Sequence, residues 1–259
     1  MTKLGSPLFI LRNECAKDLF GVLDRLAKIG YDGVEFIGLF GHKPGEIRSR
    51  LDSLGIDAIG DHVPFGEFAN DPEKIIEDHL TLGCRFITVG SPGPDGMPGS
   101  DGYRLTVETL NALGDKTKSA GMRLLYHNHA NELRSRFNGK TALEYFFDDT
   151  DPGLLLAEPD LGWIMIGGAE PVHFLRKYRS RCPVIHLKDF IRTGEKSAFE
   201  FRPTGYGEAG YAALCAEIKK LAINPEWYVL DHDDAYGRDI FYDLKISLDY
   251  VKNLSAIDG

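Results

Sequence analysis

Short apolar runs alternate with longer segments of helical period along all 259 residues. Eight runs read as strands, over residues 8–11, 33–37, 58–63, 86–89, 123–127, 154–158, 184–187 and 227–230. Between them apolar residues recur at i, i+3 and i+4, as in Leu19, Val22, Leu23, Leu26 and Ala27, with Gly30 placed as a C-cap. Asp71-Pro72 predicts an N-cap followed by proline in the first turn, with Ile75, Ile76, His79 and Leu80 on one face and Gly83 as the stop. Further helices are expected over 103–120, 171–181, 209–221 and 239–253. Parallel strands need crossovers of a dozen or more residues and read as continuous apolar runs when both faces are buried. Eight such β-α units in roughly 250 residues fit a closed (β/α)8 TIM barrel, with a doubly wound open sheet as the rival. Nothing resembling a linker interrupts the series, so residues 1–259 are expected to form a single domain.

Composition narrows the partners. Thirty Lys+Arg against 39 Asp+Glu leave a net charge of -9, which repels a phosphate backbone, so nucleic acid is not expected. Cys15, Cys84, Cys182 and Cys215 are far apart and lack a C-x-x-C pair, as expected of reduced thiols in a cytoplasmic protein. No leader and no apolar stretch of about 18 residues stands out, so no membrane partner is expected.

In such a barrel the reactive groups stand at the C-terminal ends of the strands. The chemically capable residues fall there: Glu35; Asp61 and His62; His127, Asn128, His129 and Glu132; Glu158 and Asp160; His186, Lys188 and Asp189; Asp231, His232, Asp233 and Asp234. Each has an ordinary alternative. Glu35 could be an ionic plug in the rim, Asp189 could orient Lys188 or cap a loop, and His127 could be a hydrogen-bonded rim histidine. Together, carboxylates and imidazoles from four strand ends make the donor set of a divalent cation, which would also keep crowded carboxylates ionised. Gly205-Tyr206-Gly207-Glu208-Ala209-Gly210 fits a dinucleotide-binding pattern. Pro203 breaks the segment before it, Glu208 would face a pyrophosphate with like charge, and the motif comes late in the β-α series, so that reading is rejected.

Tyr126-His127-Asn128-His129-Ala130-Asn131-Glu132, Asp160-Leu161-Gly162-Trp163, His186-Leu187-Lys188-Asp189 and Leu230-Asp231-His232-Asp233 resemble, in order and spacing, the sugar phosphate isomerase/epimerase family with the xylose isomerase-like barrel. Gly30-Tyr31-Asp32-Gly33-Val34-Glu35 and Ile59-Gly60-Asp61-His62 extend the likeness to nearly the whole chain. The resemblance implies one divalent metal, manganese first with magnesium, cobalt or zinc as alternatives, ligated by Glu132, Asp160, His186 and Asp231. Asp231 stands where the family usually has Glu, one methylene longer, which leaves the acid/base role of that position open.

The implied reaction is isomerisation or epimerisation of a sugar or keto-sugar through an enediolate. The expected acid/bases are Glu132 and Asp231, and Lys188 hydrogen-bonds or protonates a substrate oxygen. Glu35, His62, His127 and His129 are expected at the substrate's hydroxyls, Trp163 forms an apolar wall, and Arg238 with Gly205-Tyr206-Gly207 offers a place for a phosphate, although an unphosphorylated carbohydrate is favoured. Dehydration of an inosose or lysis of a keto-glycoside on the same residues is the nearest alternative. A sugar-binding barrel without turnover and an endonuclease IV-like hydrolase are the alternatives of other classes. A homo-oligomer is one option for assembly.

Overall fold

Each apolar run is laid parallel to the next because a helix returns the chain to the same edge. A computed structural model describes residues 2–194 and 198–254. The barrel strands are β1 (Lys3–Pro7), β2 (Gly33–Phe36), β3 (Asp57–His62), β4 (Phe86–Val89), β5 (Arg123–His127), β6 (Leu155–Glu158), β7 (Val184–Arg192) and β8 (Trp227–Asp231). They pair in parallel in the order β7-β8-β1-β2-β3-β4-β5-β6. Between β6 and β7 a parallel bridge joins Asp160 to His186, and the His186 N–H donates to the Pro159 carbonyl at 3.0 Å. The expected (β/α)8 barrel is therefore the fold, and its seam runs through two of the predicted site residues.

The first strand differs from expectation. It spans Lys3–Pro7, whereas Leu8, Ile10 and Leu11 are buried in the turn that enters the helix Arg12–Ile29. Burial makes a turn as apolar as a strand, and the small residues Gly5 and Ser6 hid the true one. β7 runs on to Arg192 because Phe199–Arg202 pairs with its outer half in antiparallel fashion.

The helical signals act as read. The Asp71 carboxylate accepts the Lys74 N–H at the start of Pro72–Leu82, and Gly83 closes that helix in the left-handed region. The helix Leu161–Ile166 lies so close to β7 that a Cβ on Gly162 would stand 2.1 Å from the Lys188 carbonyl oxygen. Ile59, Phe86, Leu125, Leu156, Val184, Trp227 and Val229 form one apolar cluster contributed by β3 to β8. Each large side chain taken fully from water contributes about 1.5–3 kcal/mol, so this cluster gives the polar layer above it a rigid floor. All four cysteines are buried and unpaired, and no helix among the described residues is long and apolar enough to cross a membrane.

Candidate active site

Above the apolar floor the strand ends open into a cavity of about 670 Å³, whose lining includes Glu35, His62, His127, His186, Lys188 and Asp231. The polar residues fall into two adjoining groups that meet at His186.

The first group comes from β2, β3, β6 and β7. His62 Nε2 lies 3.1 Å from Glu35 Oε2 and 2.9 Å from Glu158 Oε1. His186 Nε2 lies 3.0 and 3.3 Å from the same two oxygens. Neither nitrogen forms a directed hydrogen bond, and Glu35 Oε1 is also without one. The remaining valences are filled: Thr88 Oγ1 donates to Glu158 Oε2 at 2.8 Å, and His127 Nδ1 lies 3.1 Å from Glu158 Oε1. Burial works to raise the Glu35 carboxyl, but the charges of His186 and His62 outweigh it and hold the group well below the ordinary range. For Glu158, burial and Glu35 push upward, and His62, His127 and His186 bring it down. Burial would lower both imidazoles as well, yet Glu35 and Glu158 push His62 up to about 10, and Glu35, Asp231 and Glu158 raise His186 well above its ordinary value. His127 goes the other way, since burial and the neighbouring imidazoles outweigh its bond to Glu158.

The second group surrounds a buried ammonium. Lys188 Nζ lies 3.1 Å from Asp160 Oδ2, 3.0 Å from Asp231 Oδ2 and 2.7 Å from Asp233 Oδ1, with the lysine side chain 2 % exposed. Its Nζ is also 5.1 Å from the Trp163 ring centroid and 5.5 Å from that of Phe201, a cation-π arrangement. Burial favours loss of the lysine proton, but Asp160, Asp231 and Asp233 reverse this and keep it charged. Lys188 also depresses Asp231 against the effect of burial, whereas burial pushes Asp160 up to about 6 despite Lys188. Asp160 is fixed by its surroundings: its Oδ1 accepts the Trp163 N–H at 2.8 Å, and its own N–H donates to Asn128 Oδ1 at 3.0 Å. His186 Nδ1 lies 3.1 Å from Asp231 Oδ2, which links the two groups.

Two sets of donor atoms, each within 4.8 Å of one another, have the composition of a metal site: His62, His127, Glu158 and His186, and Asp160, His186 and Asp231. Glu35, His62, His186, Asp160 and Asp231 each carry a buried polar atom without a hydrogen bond, and a divalent ion that took the place of the imidazole protons would satisfy them, so these residues fit such an ion.

Of the residues expected at the metal, Asp160, His186 and Asp231 come together and Glu132 does not. Glu132 Oε1 accepts the Tyr126 hydroxyl at 3.2 Å and Oε2 accepts the His129 N–H at 3.1 Å, closing the first turn of Ala130–Arg134. A Glu at the third helical position satisfies the backbone just before it, and that local bond holds Glu132 away from the ion-binding groups. His129 lines the cavity, and burial together with Lys188 brings it down to about 4, so its imidazole is neutral. Trp163 packs edge-on against Phe199 and Phe201, with ring centroids 5.6 and 5.5 Å away.

Arg238 is spent on structure, donating to Asp243 Oδ2 at 2.8 Å and to the Phe201 carbonyl at 3.2 Å. The glycine-rich loop is occupied too. Asp189 Oδ2 accepts from the Gly205 and Gly207 N–H groups at 2.9 and 3.0 Å, and Oδ1 from those of Phe190 and Ala209 at 2.9 and 3.0 Å. The nest that could cradle a phosphate holds the chain's own carboxylate, and a Cβ on Gly207 would stand 2.2 Å from Asp189 Oδ1. Asp61 likewise serves the scaffold, accepting the Gly38 N–H at 2.7 Å and pairing with His79 Nε2 at 2.8 Å.

Glu158 has a larger place than its sequence position suggested. The available signal was an acid closing the apolar strand Leu155–Glu158, where a buried charge needs a partner. His79, read only as part of a helix face, had no such signal.

Similarity to known proteins follows the same framework. The inosose dehydratase of Geobacillus kaustophilus is 27% identical over 272 residues, covering 90% of this chain and 86% of the relative. A crystal structure of a sugar phosphate isomerase/epimerase from Parabacteroides distasonis superposes with a TM-score of 0.82 at 24% identity, covering 99% of this chain and 96% of the other. The IolI protein, solved with a zinc atom, superposes with a TM-score of 0.72 at 12% identity over 99% of this chain and 98% of its own. The model of the xylose isomerase-like TIM barrel matches residues 23–240, from the first helix to the start of the last, and so spans every strand end that carries the site except β1. On that match and on the barrel just described, the chain belongs to the xylose isomerase-like TIM barrel family.

Proposed function

We propose that the protein is a divalent-metal-dependent isomerase or epimerase that removes the proton beside the carbonyl of an unphosphorylated sugar or keto-sugar. The observation that carries this reading is the set of buried carboxylate and imidazole atoms without hydrogen bonds on Glu35, His62, His186 and Asp231, all of which line the cavity. When bound, a dication polarises the substrate carbonyl and offsets the negative charge that builds on its oxygen. The ion would be held in the groups around His186.

Lys188 keeps its proton, so it serves as the donor to a substrate oxygen and not as the base. Asp231, depressed and ionised, faces the cavity and is the base at the carbon, a role typically contributing about 10²–10⁴-fold. Neutral His129 accepts from a substrate hydroxyl or donates to a hydroxyl oxygen, and Trp163, whose ring centroid lies 5.7 Å from that of His129, backs the imidazole from outside the cavity lining. Among the lining residues there is no arginine, and the Asp189 carboxylate already fills the glycine loop, which favours a substrate without phosphate.

Loss of water or another β-substituent after the same proton abstraction is the second reading. It is favoured by the relative named inosose dehydratase, which is similar along 90% of this chain. Incubation with Mn²⁺, Co²⁺ or Zn²⁺ and a panel of ketoses and inososes in D₂O tests both readings. Deuterium at the α-carbon of recovered substrate or its epimer is expected, whereas an unsaturated ketone would assign the lyase. No exchange and no elimination with any member of the panel would refute the proposal.

A further inference from the structure

The cavity at the strand ends has two unlike sides. On one, His186, Lys188, Asp231 and Asp233 stand at β7 and β8, and Glu35 and His62 reach toward them, with Glu35 Oε2 3.0 Å from His186 Nε2 and 3.1 Å from His62 Nε2. On the other, the ends of β1, β2 and β3 contribute Phe9, Ile37, Leu39, Val63 and Phe65, and the helix Pro72–Leu82 adds Ile75. These three strands are neighbours in the sheet, so the six side chains form one apolar wing. Val63 is buried, Ile37, Leu39, Phe65 and Ile75 are half-buried, and Phe9 is 40 % exposed.

The polar side chains of the wing are already engaged. Asp61 accepts the Gly38 N–H and pairs with His79 Nε2, and His79 Nδ1 lies 2.6 Å from the Ile75 carbonyl. Asp78 is paired with Lys74, and Ser91 Oγ accepts the Gly93 N–H at 3.3 Å. A hydroxyl carried into this wing would give up water for apolar walls, whereas apolar surface gains by the same move. Among the residues lining the wing there is no lysine or arginine, so the group it suits is neutral. A cavity of about 670 Å³ also falls within the range of about 300–1,000 Å³ that encloses drug-sized ligands. A free monosaccharide held at the charged side would leave the wing filled with water.

Resting on the reading of a sugar-processing enzyme, we propose that the wing is a subsite for a neutral, apolar, ring-sized substituent carried by the carbohydrate. The polar side then takes the hydroxyls and the carbonyl, and the wing selects carbohydrates that bear such a group over free sugars. Phe9 and Ile37 are the specificity-determining residues most open to change, since Leu39, Phe65 and Ile75 also pack against the core.

The test compares matched probes on the full chain supplied with Mg²⁺. Methyl and phenyl β-D-glucopyranoside, -galactopyranoside and -xylopyranoside are titrated by calorimetry. Within a pair, the phenyl member should bind about 10–100-fold more tightly, the gain expected from burying one ring. Ile37→Ser and Phe9→Ala should each reduce that preference at least threefold and leave the methyl member within about twofold of wild type. Thermal melts check the fold of each variant, and Phe9→Ala, at an exposed position, carries the test if Ile37→Ser does not fold. Equal affinity within every pair, absence of binding by every pair, or a phenyl preference unchanged in both variants would overturn the subsite. Deuterium exchange with free ketoses or inososes but no phenyl preference would overturn the subsite and leave the functional reading standing. A phenyl preference that both variants reduce, with neither exchange nor elimination, would do the reverse.

Discussion

Replacing Lys188 with methionine keeps most of the side-chain volume and removes the ammonium shared by the buried Asp160 and Asp231 and the partly exposed Asp233. The ammonium lies 2.7–3.1 Å from Asp160, Asp231 and Asp233. Removing one partner of a buried ion pair costs about 3–5 kcal/mol, because the group left behind is charged and dry. The three contacts share one ammonium, so their effects are not additive and the whole penalty is expected in that range. With an unfolding entropy of roughly 2.1 cal/mol/K per residue over 259 residues, the loss becomes a fall in Tm of about 6–9 °C. Calorimetry of wild type, Lys188→Met, Asp231→Asn and the double variant at pH 7 measures it. The double variant should recover about 1–2 kcal/mol relative to the sum of the singles, since its second change removes a charge that the first stranded. Turnover should be lost in every variant lacking Lys188. A Tm within 2 °C of wild type for Lys188→Met, or strict additivity in the double variant, would refute the view of Lys188 as the counter-ion of this group.

Glu132→Gln should retain the full metal content by elemental analysis and lose about 1 kcal/mol in urea denaturation, because Glu132 bonds to Tyr126 and His129 and a glutamine has one acceptor oxygen to offer the two donors. Gly162→Ala should destabilise by several kcal/mol in the same assay, since the new methyl would meet the Lys188 carbonyl at 2.1 Å and part the helix from β7; unchanged stability would refute the close approach. Asp189→Ala strands four backbone N–H groups and should cost about 3–5 kcal/mol, with part of the loss recovered as sulfate is added, because the emptied nest then accepts an external anion.

The succession of apolar runs and capped helices was enough to specify the barrel, because parallel strands buried on both faces and their crossovers impose that pattern on any chain that forms them. Seven of the eight strands lie where the runs are. The exception, Lys3–Pro7, is legible only in three dimensions: its small residues suit the inside of the barrel, and the apolar turn after it is buried by a helix. Asp71 and Gly83 were readable for the opposite reason, since the groups they satisfy lie within a few residues of them.

The same division holds at the site. The sequence determined which chemistry is available, because the C-terminal end of a barrel strand faces one shared mouth whatever the neighbours do. Allegiance among those groups was decided partly by local capping and mostly by tertiary structure. Glu132 is claimed by a backbone N–H three residues away, Asp189 by a loop that starts 16 residues on, and Arg238 by Asp243, so none of them joins the charged side chains grouped around His186. Glu35, His62, Glu158 and His186 lie on four different strands, and their donor atoms stand about 3 Å apart through closure of the sheet. Coulomb and coordination energies depend on separation and direction in space, and a linear chain records neither until its staves are joined.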